Sequence, residues 1–169
     1  MSAMHDMPGQ MARPNLLPTF DARLAITAVL AGVAADASWE IWARLITPLL
    51  VGGPLEPAAL VQSVFGLQSR FLAEVIHGAV GVFAYPIGYL YIARPLQRLI
   101  LPSLPLVLTG AGFGVGLWVF ALYVMAHLFA GLEPFLGFEP IAFASLGGHI
   151  LFGLVVAFVV AFRERTDER

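Results

Sequence analysis

Residues 34–48, AADASWEIWARLITP, decide how this chain is read. They lie in an apolar run long enough to cross a bilayer, which takes about 20 helical residues. Yet they carry Asp36, Glu40 and Arg44, spaced four residues apart. On a helix this spacing sets all three along one side, where they can pair along the axis. A charge at membrane depth is costly unless partnered. The stripe is therefore expected to face protein or water rather than lipid.

Composition extends that reading to the whole chain. It is 59% hydrophobic and 12% charged, with mean hydropathy +0.85. Ordinary soluble domains are about a quarter charged, so this is the composition of a membrane protein. A net charge of -2 gives no reason to expect nucleic-acid binding. All nine basic residues are arginine, and the lack of lysine excludes Schiff-base and Walker-type chemistry. The lack of cysteine excludes disulfides, thiolate metal sites and cysteine nucleophiles. The first apolar run follows a long polar lead and has no short core ending in a cleavage site. No cleavable signal peptide is expected, and the first span would itself direct insertion.

Four spans are expected, over about 23–50, 72–93, 104–131 and 141–162. The fold is thus an all-α integral membrane protein, a four-transmembrane-helix bundle over residues 23–163. A polar, proline-broken tail, 1–22, precedes it and is expected to hold little fixed structure. A charged tail, 164–169, follows it. Pro48 and then Gly52-Gly53-Pro54 end the first span. In the long connection 51–71, Glu56-Pro57 is expected to start a short helix that lies in the interface or caps the bundle. Pro86 should kink the second span. Residues 94–98, RPLQR, read as a basic turn, and 132–140, LEPFLGFEP, as an acidic one. Seven of the nine arginines fall on one side of this topology, so both termini are expected in the cytoplasm.

Each later span supplies one histidine: His77, His127 and His149. At about 1.5 Å per helical residue they share a depth with Glu40 and Arg44, in the outer half of the bilayer, with Asp36 deeper. Glu74 lies on the side of His77, and Tyr123 is one turn from His127. The candidate cluster is therefore Asp36, Glu40, Arg44, Glu74, His77, Tyr123, His127 and His149.

Three chemistries suit these residues. His77, His127 and His149 with Glu40 would suit zinc, copper or iron as ligands. Two of the histidines on facing helices would suit haem b, for which the glycines of the third span could make room. Histidine and buried carboxylates together suit proton handling. A chain with no cofactor accounts for the same residues: Arg44 would pair with Asp36 and Glu40, and each histidine would bond a neighbour such as Ser145 or Tyr123. No catalytic residue is assigned, since Ser145 and His149 share a helix side without a nucleophile elbow. The chain is read as non-enzymatic. Met1, Met4, Met7 and Met11 around His5 and Asp6 carry ligands that suit Cu(I), but the preferred reading is an unstructured start with redundant initiator methionines.

Gly110, Gly112, Gly114 and Gly116 form two overlapping Gly-xxx-Gly pairs, which let a neighbouring backbone approach closely. No strand precedes them, so they are not a phosphate loop.

The segments VIHGAVGVFAYPIGYLYIA, MAHLFAGLEPFLGFEP and LGGHILFG, with WARLITPLL in the first span, resemble the YagU-like inner-membrane proteins of bacteria, mainly over residues 72–165. The resemblance implies a multi-spanning protein of the bacterial inner (plasma) membrane and supplies no catalytic residue. The stripe Asp36–Glu40–Arg44 has no counterpart in it. Three functions are expected from these readings: a cluster that binds a metal ion or relays protons, an accessory subunit of a larger membrane complex, respiratory or transport, or a haem-b-binding membrane protein. In the second, the glycine-rich span would be the contact face, towards the complex or another copy of the chain.

Overall fold

The computed structural model describes residues 17–167, which form helices and no strand. The methionine-rich start, with its copper reading, lies outside the described residues. The helices are α1 (Ala22–Val51), α2 (Pro57–Phe65), α3 (Arg70–Ile100), α4 (Leu106–Phe129) and α5 (Pro140–Asp167). All but α2 are long and apolar enough to cross a membrane.

Helix α1 starts where the Asp21 carboxylate accepts the Leu24 N–H at 2.8 Å, satisfying one of the free amides of the first turn. It stops at Gly52, whose φ of 81° is left-handed and costs least at glycine. Within α1 and α3 prolines do not end the helix. Pro48, Pro86 and Pro95 each follow a π-helical turn: Trp42–Ile46, Val80–Ala84 and Tyr89–Ala93. A proline ring crowds the carbonyl one turn back and offers it no N–H. Widening the helix by one residue per turn relieves the crowding. At Pro86, where a kink is expected, the helix passes through the π turn Val80–Ala84, and α3 continues through 94–98, the stretch expected to turn, as far as Ile100. Helix α5 likewise continues past its expected end, through Arg163 and Glu164 to Asp167.

Helix α5 is central, with α1 and α4 packed along it, while α3 packs on α1. Helices α3 and α4 meet chiefly where the rings of Tyr89 and Phe113 stand 5.3 Å apart. Close approach is made by glycine. A Cβ on Gly114 would fall 2.2 Å from the His149 carbonyl oxygen, and one on Gly153 would fall 2.3 Å from that of Gly110. Between α1 and α3, a Cβ on Gly32 would fall 2.0 Å from the Val82 oxygen. The glycine series of α4 is therefore divided. Gly110 and Gly114 lie against α5, whereas a Cβ on Gly112 or Gly116 would meet nothing within 4 Å among the described residues. The core is built from small residues, such as Ala31, Ala35 and Ala157, around Tyr89, Val156 and Val160. Leu30, Val33, Ile87, Phe143 and Phe158 point outward, an apolar surface that suits lipid.

Candidate functional site: a polar cleft between α1 and α3

Helices α1 and α3 run antiparallel, so successive turns of one meet preceding turns of the other. The carboxylate of Asp36 lies against Gly81, where a Cβ would come within 2.6 Å of its Oδ1. One turn along, Glu40 is within electrostatic reach of His77. One turn further, Arg44 lines the same cavity as Glu74 and as Glu56 from the linker. The four-residue spacing on α1 thus lays its charges against the polar side of α3. Between them is a cavity of ≈ 440 Å³ lined by Asp36, Glu40, Arg44, Glu56, Arg70, Glu74 and His77, with Pro54, Leu55, Pro57 and Ala58 as its apolar wall.

The wall is held in place by a proline. In the π turn, the Trp42 carbonyl takes both the N–H of Thr47 and its hydroxyl, the latter at 3.0 Å. The Ala43 carbonyl would next take an N–H from residue 48, but Pro48 has none. Leu55 supplies it instead, its N–H reaching the Ala43 oxygen at 3.2 Å. That bond folds Gly52-Gly53-Pro54 back along α1 and brings Glu56 to the cleft.

Most charges in the cleft are paired. Arg44 binds Glu40 one turn away. Arg70 donates to Glu56 at 2.6 Å and to Glu74 at 3.2 Å. Asp36 makes no hydrogen bond or ion pair among the described residues. The expected Asp36–Arg44 pair does not form. Four carboxylates face two guanidiniums, leaving the cleft formally negative.

The three histidines go to different places. His77 lines the cleft and has Trp39 as a neighbour, ring centroids 6.3 Å apart. His149 is buried on α5 and meets Trp39 edge-on at 4.5 Å. Its Nδ1 lies 2.8 Å from the Ser145 carbonyl oxygen, which can only accept, so Nδ1 carries the proton and donates. His127 stands beside Tyr123, and its Nδ1 donates to the Leu132 carbonyl at 2.8 Å, tying down the end of α4. Tyr123 in turn stacks on Phe135 at 5.6 Å. Neither Tyr123 nor His127 lines the cleft. Among the described residues no group of three or more His, Asp or Glu is arranged to hold a metal ion. The set His77, His127, His149 and Glu40 is therefore not assembled. Nor do His77 and His149 frame a macrocycle, because the Trp39 indole packs beside both. Gly148 makes room for that indole, and Gly147 for Trp42, whose Nε1 donates to the Ala144 carbonyl at 2.8 Å.

The sequence reading missed Glu56 and Arg70. The available signals were the four-residue step from Arg70 to Glu74 and the acidic residue before Pro57. Comparisons with protein-family models, with curated proteins and with solved structures gave no match.

Proposed function

We propose that this chain is a multi-pass helical bundle of a bacterial inner membrane, both termini cytoplasmic, whose α1–α3 cleft takes up and passes protons at Asp36, Glu40 and His77. The observation that carries this reading is Asp36: a carboxylate inside a span, without a hydrogen-bond or ion-pair partner among the described residues, lining a cavity. A lone carboxylate there is tolerated when it is neutral, hydrated or met by a cation, and exchange among those states is proton chemistry. Glu40 and His77 lie one turn further along the same cleft, and imidazole is the side chain suited to pass a proton near neutral pH. Seven of nine arginines on the other side argue that the cleft opens away from the cytoplasm. The likeness of residues 72–165 to YagU-like proteins agrees with this location and adds no residue to the site.

The test is infrared difference spectroscopy of the protein in lipid nanodiscs between mildly acidic and mildly alkaline pH. A carboxyl band that changes with pH and disappears in Asp36→Asn is expected. An unchanging spectrum overturns the reading. Elemental analysis and a visible spectrum of the same sample decide the alternatives of a bound metal ion and haem b.

A second reading, an accessory subunit of a larger membrane complex or a homo-oligomer, is favoured by the open space over both Gly112 and Gly116. It requires the protein to leave mild detergent with a partner or another copy, and Gly112→Leu with Gly116→Leu to release it. A lone monomer overturns it.

A further inference from the structure

We propose that the α1–α3 cleft binds a small organic monocation with an N–H-bearing head, an ammonium or guanidinium, and that the Asp36 carboxylate is its counter-ion. The inference rests on the preceding reading in one respect: Asp36 must be able to ionise.

Charge pairing gives the sign of the ligand. Arg44 is taken by Glu40, and Arg70 by Glu56 and Glu74, so the chain supplies both cations of the cleft to its mouth. Asp36, deeper along α1, receives none among the described residues. A bound cation would meet a carboxylate that no described side chain competes for, in surroundings where a charge-assisted bond is stronger than in water.

Size and donor chemistry give its class. A cavity of ≈ 440 Å³ is of small-molecule size, since such sites run to about 300–1,000 Å³. A bare metal ion would need more ligands than one free carboxylate, and no suitable group of three is present among the described residues. An N–H head group needs fewer: Asp36 accepts one bond, and a neutral His77 has a lone pair for another. The wall of Pro54, Leu55 and Ala58 would lie along an alkyl portion.

The experiment is calorimetric titration of the full chain in nanodiscs with butylammonium and guanidinium, using butyrate and Mg²⁺ as controls. Saturable binding of both cations and none of butyrate is expected. Asp36→Asn should weaken binding about tenfold or more, and Glu133→Gln, in the other linker, should leave it unchanged. A variant-free measurement stands beside these: butylammonium should slow carbodiimide labelling of Asp36 in the unmodified protein, read by mass spectrometry. Binding that survives Asp36→Asn, or Mg²⁺ competing as well as the amines, overturns the inference. Absence of binding while the Asp36 infrared band still titrates overturns it and leaves the proton reading standing. Absence of both removes both.

Discussion

The backbone N–H of Leu55 donates to the carbonyl oxygen of Ala43 at 3.2 Å, filling the position that Pro48 cannot. A linker bond of this kind closes the cleft because the helix leaves one of its own acceptors free. Replacing Pro48 with alanine would return an N–H to residue 48, and α1 could then satisfy Ala43 by itself. The Leu55 amide should lose its partner while the helix persists. Since one hydrogen bond contributes about 1 kcal/mol, hydrogen exchange at Leu55 should accelerate about fivefold. Unchanged exchange at Leu55 would show that the linker is held by something else.

Four glycines in one helix should respond in two different ways. Gly114→Ala drives a methyl group into the His149 backbone, where a Cβ would stand 2.2 Å from the carbonyl oxygen. Helices α4 and α5 must then separate, at a cost of about 1–3 kcal/mol, as for other overpacked contacts. Gly112→Ala meets nothing within 4 Å. It should lie within about 0.5 kcal/mol of the parent, or be slightly more stable because alanine is the better helix former. Thermal unfolding in a single detergent measures both.

This pair also marks how far the sequence could be read. The four spans were legible because each is a long, mostly apolar run, and so was the α1 side of the cleft, because three charges in such a run must be sheltered. Both glycine pairs have the same spacing, so which one faces α5 depends on how α4 is rotated against a neighbour. His127 and His149 look alike in sequence, each one turn from a hydroxyl residue, Tyr123 or Ser145. One closes the end of its own helix and the other is buried beside Trp39. Pro95 and two arginines suggested an end to the second span. The π turn at Tyr89–Ala93 lets the helix pass. Glu56 and Arg70 were hidden for a different reason: their ion pair spans a linker and needs its fold, which the Ala43–Leu55 bond sets.

Gly81 is a positioning residue for Asp36. A methyl group there would come within 2.6 Å of the carboxylate Oδ1, the free end of a side chain, rather than of backbone. The fold should therefore tolerate Gly81→Ala, with stability changed by about 1 kcal/mol or less. The carboxylate should swing aside. Its infrared band is expected to shift, and butylammonium binding to weaken, with the helix content unaltered. A Gly81→Ala protein with the parent's band and the parent's affinity would remove Gly81 from the site.

At the opposite end of the molecule, Arg94 of α3 binds Glu164 of α5 through both guanidinium Nη atoms. Contact between these two helices is otherwise slight, with Tyr85 and Phe152 meeting at 5.7 Å. The pair should therefore matter to how α3 is held. Arg94 is the better buried partner, its side chain 20% exposed against 42% for Glu164. Two-pronged geometry favours the bond, and partial solvent access screens it. A double-mutant cycle of Arg94→Gln and Glu164→Gln should give a coupling of about 1 kcal/mol, at the upper end for pairs that water can reach. The coupling should shrink as salt is raised. The exchanged protein, Arg94→Glu with Glu164→Arg, should recover part of what either single change loses. Strict additivity of the two single variants would mean that the pair forms without contributing to stability, and that α3 is held by its contacts with α1.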